Sequence, residues 1–492
     1  MGSGRRTSSS TRDARAGRSE AARTAAPRVT PLYKRLPHGP HRLERNEVVA
    51  NQRTRIHGAM IEAVAQSGYE DTSVKQVIAL AGVSRRSFYE QFANKQECFL
   101  ATFDLIARRE TQHVRRAYLA AEGTLEERVR ASLRRYARLT REDRKAALLV
   151  VLEAQTAGIA GMARLRKATS VCEQMLAHSF SQTPGATALA PPIVRAVAGG
   201  LQGIAGSFMR DPERTDGLDV VDEMLGWMLA FQTPAAEPMA ASLAATLSVR
   251  LREIASSYGH GLAGAETVAR DERTRILQAV LRLATREEYR TLSTPQIADE
   301  ANVSIDALCE LFADKDECFL CALDMIGDEL LTLVADPGLV SEDWPGAVRR
   351  VLARLMRHLA DHPLQTRVLA QEAFFAGPEA RERVQDLAQN IATLLTEGAP
   401  AQPPFGLAAD GFAGALWHTI RCQVAAGRIP LLVALSDYLA YIVLAPHIGA
   451  QQAAEILTER APRAHELAAA PAVPDEHAVE DDQEATLAAA AG

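Results

Sequence analysis

Two segments of this chain, 220 residues apart, share one pattern of a helix, a tight turn and a second short helix. Residues 53–104 align without a gap with residues 273–324, and about 20 of the 52 positions are identical. Self-similarity over such a length indicates an internal repeat. The sequence therefore predicts a tandem duplication in which each copy contains one helix-turn-helix unit.

The first copy of this motif spans residues 73–92. Gly82 supplies the backbone freedom that a tight turn between two helices needs, and Ser84 is a good N-cap for the next helix. Phe88 and Phe92, four residues apart, are expected to face inward. The first helix carries an apolar stripe at helical spacing, formed by Val74, Val77, Ile78 and Ala81.

The second helix of the motif leaves a polar face outward, formed by Arg85, Arg86, Ser87, Tyr89 and Gln91. Guanidinium groups can donate in pairs to guanine edges, and hydroxyl and amide groups can contact phosphate oxygens, so this face suits a DNA major groove. A further cap follows at Asn94, with Lys95 in the first turn of a longer helix. Backbone N–H groups and an ammonium at such a helix start can hold a phosphate.

Residues 72–95 resemble the DNA-binding domain of the tetracycline-repressor (TetR) family. The matching elements are the Thr72-Ser73 helix start, the A-G-V-S at 81–84, the Phe88-Tyr89 pair, Phe92 and Lys95. The resemblance implies that the first copy binds double-stranded DNA. It also implies that later helices enclose a small-molecule pocket and that the last two build a four-helix dimer interface, although no effector can be named. The candidate DNA-binding residues are Thr72, Ser73, Ser84, Arg85, Arg86, Ser87, Tyr89, Gln91 and Lys95.

The second copy keeps the core of the motif and loses its polar face. Leu308 and Phe312 stand at the inward positions, whereas the outward ones have become Ile305, Asp306, Ala307, Cys309 and Leu311. Residues 270–327 contain seven basic and twelve acidic residues, against six of each in residues 50–107. DNA should repel this second surface. Lys315 is expected to form a local ion pair with its acidic neighbours.

An all-α fold of two tandem TetR-like units follows from this organisation. The predicted segments are a disordered basic arm (1–49), a helix-turn-helix domain (50–107), a helical ligand and dimerisation domain (108–232), a linker (233–270), a degenerate helix-turn-helix domain (271–327), a second helical domain (328–460) and a disordered acidic, Ala-rich tail (461–492). Small residues at 199–203 and 411–415 are expected on faces where helices pack closely. Within the linker, residues 240–258 have a helical pattern.

The arm contains eleven Lys and Arg residues against four acids. It reads either as a solubilising tail or as a segment that lies along DNA, with residues 34–42 in a minor groove. In the second case, deleting residues 2–44 should lower DNA affinity and make its salt dependence shallower.

Other functional classes find little support in the sequence. No cofactor, metal site or catalytic set is predicted: His358, Asp361 and His362 have no fourth ligand nearby in sequence, and Cys318 and Cys321 are expected in a helix core. The apolar stretch 429–448 is interrupted by Pro430, Asp437 and Pro446, so no membrane span is predicted. The six scattered cysteines and the lack of an apolar segment behind Arg5-Arg6 favour a cytoplasmic protein.

The sequence thus predicts a transcriptional regulator that is not an enzyme, with repression as the family default and activation left open. The alternative is a scaffold or anti-regulator that pairs with other regulators without binding DNA. Two modes of self-association remain open. The two copies could pair within one chain as a pseudo-dimer, with helices 195–232 against helices 407–445, or two chains could form a homodimer that reads a palindrome.

Overall fold

The computed structural model describes residues 45–181, 189–211, 213, 215, 218–232, 271–286, 289–340 and 343–459. No β-strand occurs within these ranges, and the predicted all-α fold is confirmed. We call residues 45–232 the first half and residues 271–459 the second half. The predicted arm up to residue 44, the linker with its helical pattern at 240–258, and the tail from residue 461 lie outside the described residues.

The first half consists of nine α-helices and one 3₁₀ turn among its described residues. They are α1 (Arg45–Asp71), α2 (Val74–Ala81), α3 (Arg85–Tyr89), α4 (Lys95–Ala120), α5 (Leu125–Glu142), α6 (Arg144–Val151), a 3₁₀ turn (Glu153–Thr156), α7 (Gly158–Ser181), α8 (Pro191–Arg210) and α9 (Val220–Leu229). Helix α1 begins at Arg45, so residues 45–49, which were assigned to the arm, are helical instead.

The second half contains eleven α-helices, one π-helical turn and three 3₁₀ turns among its described residues. Its helices are α10 (Glu272–Arg286), α11 (Thr294–Ala301), α12 (Ile305–Leu311), α13 (Lys315–Val334), α14 (Trp344–Asp361), α15 (Pro363–Arg367), α16 (Ala373–Ala376), α17 (Pro378–Thr396), α18 (Ala408–Ala425), α19 (Ser436–Ile448) and α20 (Ala450–Glu459). A π-helical turn (Val368–Glu372) joins α15 to α16, and 3₁₀ turns occupy Tyr289–Thr291, Pro337–Val340 and Ile429–Leu435.

The two helix-turn-helix units differ in how they join the rest of the molecule. Side chains of α1 to α4, with a few from α6 and the turn after it, form a hydrophobic cluster of their own. The second unit, from Ile276 to Phe312, belongs instead to the large cluster that also contains the helical bundles of both halves. The first unit is therefore packed as a distinct body, whereas the second is continuous with the main core.

Glycines allow α8 of the first half to pack closely on α18 of the second. A Cβ atom on Gly203 would lie 2.3 Å from the carbonyl oxygen of Asp410, and one on Gly414 would lie 2.5 Å from that of Gly199. Such distances exclude any side chain. The predicted close packing of the small residues at 199–203 and 411–415 is confirmed, and it joins the two halves of one chain.

Buried polar contacts reinforce this junction. The carboxylate of Glu223 on α9 accepts hydrogen bonds from the backbone N–H groups of Gly406 (3.0 Å) and Leu407 (2.7 Å). The hydroxyl of Tyr441 on α19 donates to the carbonyl of Phe231 at 3.0 Å. Helices α8, α9, α18 and α19 thus meet across the two halves.

The stretch Ile429–Ile448 is long and apolar enough to cross a membrane by length and composition, and 72% of it is buried inside the protein. The stretch is not one continuous α-helix, because the 3₁₀ turn Ile429–Leu435 precedes α19. Its Asp437 is paired with Arg349 of α14, with Nε to Oδ1 at 2.9 Å. These contacts are those of a core helix.

Candidate nucleic-acid interface and central cavity

Local hydrogen bonds define both ends of α2. The Ser73 hydroxyl accepts from the N–H of Gln76 while the Gln76 side chain accepts from the N–H of Ser73 (2.8 Å), a reciprocal cap. The helix ends at Gly82, whose φ of 61° lies in the left-handed region that glycine tolerates best. Arg55 Nη2 donates to the Gly82 carbonyl at 2.7 Å and so ties the turn to α1.

Helix α3 presents its polar side outward, as predicted. Ser84 caps the helix by accepting from the N–H of Ser87 at 3.0 Å, and Phe88 and Phe92 are buried. Arg85, Arg86 and Tyr89 are exposed, whereas Ser87 and Gln91 are half-buried. The face therefore offers two guanidinium groups and a phenol to solvent.

Two contacts hold these exposed side chains in place. The Arg86 Nε lies 2.9 Å from Oε1 of Glu90, and the Arg85 guanidinium lies 5.7 Å from the centre of the Tyr89 ring. The Arg86 side chain is 89% exposed, so this ion pair is worth at most about 1 kcal/mol and a phosphate or base could displace it. Glu90 was not among the residues predicted from the sequence, although a spacing of four residues on a helix is the signal for such a pair.

Thr72 and Lys95 have contacts different from those predicted. Thr72 is 2% exposed and its hydroxyl donates to the carbonyl of Gly68 at 2.6 Å, so its side chain is not available to DNA. The Lys95 ammonium donates to the carbonyls of Tyr69 (2.9 Å) and Glu70 (3.0 Å) and lies 4.4 Å from the centre of the Tyr69 ring. Both residues fasten the end of α1, and a phosphate contact by Lys95 remains a prediction.

Lys315 repeats the arrangement of Lys95 in the second half. Its ammonium donates to the carbonyls of Tyr289 (3.3 Å) and Leu292 (3.0 Å) and lies 5.0 Å from the centre of the Tyr289 ring. The expected ion pair of Lys315 with neighbouring acids stays a prediction beside these carbonyl contacts. A lysine at this position serves the fold of the unit whether or not the unit carries basic reading residues.

The surface of α12 differs from that of α3 as the sequence predicts. Ser304 caps the helix, and Leu308 and Phe312 are buried. Asn302 takes the place of the turn glycine with a φ of 52°. The outward side exposes Ile305 (48%) and Leu311 (42%) beside acidic Asp306.

A cavity of about 340 Å³ lies behind the first helix-turn-helix unit, among α4 to α9. The second half closes one side of it with Phe374, Trp417 and Arg421. Most of the wall is apolar, and polar groups enter it from Glu110, Ser132, Tyr136 and Gln202. Because the lining residues come from nine helices, six in the first half and three in the second, no local sequence pattern marked them.

Burial shifts the pKa values of several ionisable groups that line this cavity. Burial raises the pKa of Glu110 to about 7, with a further rise from Asp143 and a partial offset by Arg109. The pKa values of the Tyr136 hydroxyl and the Cys172 thiol are also raised by burial, the latter to about 12. Burial lowers the pKa of Arg421 to about 10.

The 3₁₀ turn Glu153–Thr156 connects the cavity to the first helix-turn-helix unit. Gln155 in this turn lines the cavity and accepts from Arg421 Nη1 at 2.6 Å. The adjacent Glu153 accepts from the N–H of Tyr69 at 2.9 Å. On α4, Gln96 donates to the carbonyl of Ala157 at 2.9 Å. The turn therefore touches the second half, the cavity and the end of α1.

Comparison with known proteins agrees with the geometry of the first helix-turn-helix unit. Residues 59–102 match the model described as bacterial regulatory proteins, tetR family. This segment is a TetR-family DNA-binding domain. No curated protein matches the chain. Among solved structures, the fatty acid degradation regulator FadR from Bacillus halodurans matches over 36% of this chain and 96% of its own, with 17% sequence identity and a TM-score of 0.31.

The TetR-family match includes α2, α3 and the start of α4, and so the whole exposed face of α3. The match supports a role in transcription regulation for the first helix-turn-helix unit. Of the nine residues predicted to bind DNA, five are exposed (Ser73, Ser84, Arg85, Arg86 and Tyr89), three are half-buried (Ser87, Gln91 and Lys95) and Thr72 is buried. A DNA contact by any of them stays a prediction. Lys75, exposed on α2 within the TetR-family motif, adds a positive charge and was not among the residues predicted to bind DNA.

Proposed function

We propose that this protein is a transcriptional repressor that reads double-stranded DNA with α3 and is controlled by a small molecule in the central cavity. The observation that carries the proposal is the exposed face of Arg85, Arg86 and Tyr89 within a segment that matches the TetR family. Donors of this kind on a short helix suit base edges in the major groove, and the hydroxyls beside them suit phosphates.

Control by a ligand is supported by α4, which belongs both to the first helix-turn-helix unit and to the wall of the cavity. This helix begins beside the reading unit at Lys95, and further along it Glu110, Thr111 and Val114 line the cavity. A ligand that binds more tightly to one position of α4 than to another would change the fraction of molecules in which α3 is oriented to enter the major groove. The turn at Glu153–Thr156 gives a second route, since it touches both the cavity wall and the N–H of Tyr69.

The second half is proposed to be a duplicated copy of the first that acts as a covalently attached partner. The contact of α8 and α9 with α18 and α19 within one chain supports this arrangement, because it occupies the helices through which a TetR-like unit would meet its twin. A covalent link also favours this pairing by raising the effective concentration to the millimolar range. One chain would then read one half-site.

Footprinting combined with a mass measurement tests this proposal. Genomic fragments retained by the full chain at low salt should show an asymmetric footprint, and the free protein should have the mass of one chain, 53.2 kDa. Arg85→Ala with Arg86→Ala should abolish the footprint without a change in mass. A two-chain mass with a symmetric footprint over two half-sites would overturn the single-chain arrangement while keeping DNA binding.

One observation favours the alternative of a scaffold that pairs with other regulators. Ile305 and Leu311 expose apolar surface on α12, where α3 presents Arg85 and Gln91. Apolar groups beside acids suit a protein surface better than a phosphate backbone. This second function would be favoured if the full chain retained no genomic fragment even at low salt.

A further inference from the structure

Three potential metal ligands meet on the side of the second half. Glu329 comes from α13, His358 lies in the last turn of α14, and His362 follows as the residue that ends α14. One ligating atom from each lies within 4.8 Å of the other two. The two histidines are four residues apart and therefore share one face of the helix, while Glu329 reaches the same place from a different helix.

The tautomer of His362 suits a metal ligand. Its ring is stacked on that of His358, with centroids 4.1 Å apart and planes 21° apart, so it would have to turn for both rings to face one ion. Its Nδ1 lies 2.8 Å from the carbonyl oxygen of His358, so Nδ1 carries the hydrogen and donates it. The lone pair is then on Nε2. A ring N–H bound to a backbone carbonyl is the usual outer contact of a metal-binding histidine, because it fixes the tautomer and the ring orientation.

His358 has a buried nitrogen, Nε2, that makes no well-formed hydrogen bond among the residues that the structure describes; its polar side-chain neighbours are Glu329 and Gln365. The His358 side chain is 11% exposed. The nearest acidic oxygen, Oε1 of Glu329, is 3.6 Å away, which is too far for a hydrogen bond. A buried polar atom without a well-formed hydrogen bond is uncommon and points to a missing ion or ligand.

We propose that Glu329, His358 and His362 bind one divalent transition-metal ion of the class of Zn²⁺, Co²⁺ or Ni²⁺. Two imidazole nitrogens and one carboxylate suit these ions, whereas Mg²⁺ and Ca²⁺ prefer oxygen ligands throughout. Water would complete a tetrahedral shell around Zn²⁺. Gln365 Nε2 lies 3.4 Å from the second carboxylate oxygen of Glu329 and would help to orient it.

The site belongs to the second half alone. At the positions 220 residues earlier, the first half has Arg109, Arg138 and Glu142, which cannot form such a set. A bound ion would join α13 to the end of α14 and so fasten the helix that follows the degenerate helix-turn-helix unit. Binding only to the folded chain, it would stabilise the second half.

The test uses the full chain without an affinity tag, stripped with a chelator and kept reduced. Titration with ZnCl₂ should give one tight site per chain and a higher melting temperature, and CoCl₂ should give visible bands of a low-coordinate Co²⁺ complex. MgCl₂ should give neither. Exposed His362→Ala and Glu329→Gln should each weaken Zn²⁺ binding by about tenfold or more and change the Co²⁺ spectrum.

Controls separate this site from other histidines and thiols. His178→Ala and Cys309→Ser alter exposed side chains elsewhere and should leave the affinity and the Co²⁺ spectrum unchanged. The proposal is overturned if Zn²⁺, Co²⁺ and Ni²⁺ all fail to bind, or if the His362 and Glu329 variants bind Zn²⁺ as the unaltered chain does. His358→Ala is a weaker test because burial of its side chain also serves the fold.

Discussion

Nη1 of Arg421, in the second half, donates a hydrogen bond of 2.6 Å to Oε1 of Gln155, in the first half. Both side chains line the central cavity, and the Arg421 guanidinium also lies 5.5 Å from the centre of the Phe374 ring. This contact joins the wall supplied by the second half to the turn that reaches Tyr69 through Glu153. The second half therefore forms part of the cavity rather than only covering it.

Gln155→Ala should destabilise the protein, because it removes a hydrogen-bond partner from a buried guanidinium. A loss of about 1–3 kcal/mol in the free energy of unfolding is expected. A double-mutant cycle with Arg421→Met, measured by denaturant unfolding, isolates the pair. A coupling energy near zero would mean that the contact does not stabilise the junction of the halves.

Arg85→Ala and Arg86→Ala should each weaken specific DNA binding by about 1–3 kcal/mol. Removal of Arg86 also frees Glu90 to repel phosphate, so its effect should be the larger at low salt. Fluorescence anisotropy on a selected DNA site measures both. Asp306→Ala, the matched change in the second half, should leave the affinity unchanged. Equal losses from all three variants would contradict reading by the first unit alone.

Lys95→Met and Lys315→Met should both lower the melting temperature. Each removes an ammonium that donates to two carbonyls and lies over a tyrosine ring, a loss of about 1–3 kcal/mol. Only Lys95→Met should also weaken binding to all DNA sequences alike. If Lys315→Met weakened DNA binding as strongly, both units would have to contact DNA.

Gly203→Ala should disturb the junction of the halves, since its Cβ would lie 2.3 Å from the carbonyl oxygen of Asp410. Overpacking of this kind costs about 1–3 kcal/mol or more, and it should appear as a lower midpoint of denaturant unfolding. Gly327→Ala on α13 is the control, because its nearest neighbour would be Leu387 Cδ1 at 3.9 Å. That variant should be as stable as the unaltered chain or slightly more so.

Glu110 should make stability fall as the pH rises towards neutral. Its pKa in the folded protein is about 7, above the ordinary value of 4.5, so the unfolded chain loses this proton at lower pH than the folded one. The contribution of the protonated Glu110 carboxyl to the free energy of unfolding is present in full below pH 4.5 and is lost as the pH rises through 7. The difference between the unfolding midpoints at pH 5 and pH 8 should be smaller in Glu110→Gln than in the unaltered chain. If the curves of stability against pH for the variant and the unaltered chain were parallel, the raised pKa of Glu110 would be contradicted.

Local sequence patterns were sufficient to predict the helix caps, the turn and the inward-facing positions of the first helix-turn-helix unit. The caps at Ser73, Ser84 and Asn94 and the left-handed turn at Gly82 depend on neighbours within four residues. The spacing of Phe88 and Phe92 marked both as inward-facing, and both are buried. The loss of a basic face in α12 is likewise visible in the sequence, because it is a matter of residue types at known helical positions. Close packing at 199–203 and 411–415 was predictable from small residues alone.

Contacts between distant residues decided the rest. The sequence placed Lys95 beside the DNA, yet tertiary packing turns its ammonium to the carbonyls of Tyr69 and Glu70 on the preceding helix. The cavity needs Arg421 from the second half, and the proposed metal site needs Glu329 from a helix that precedes the histidines. The amphipathic pattern of a helix states which face is buried, but only the packed structure states which other face lies against it.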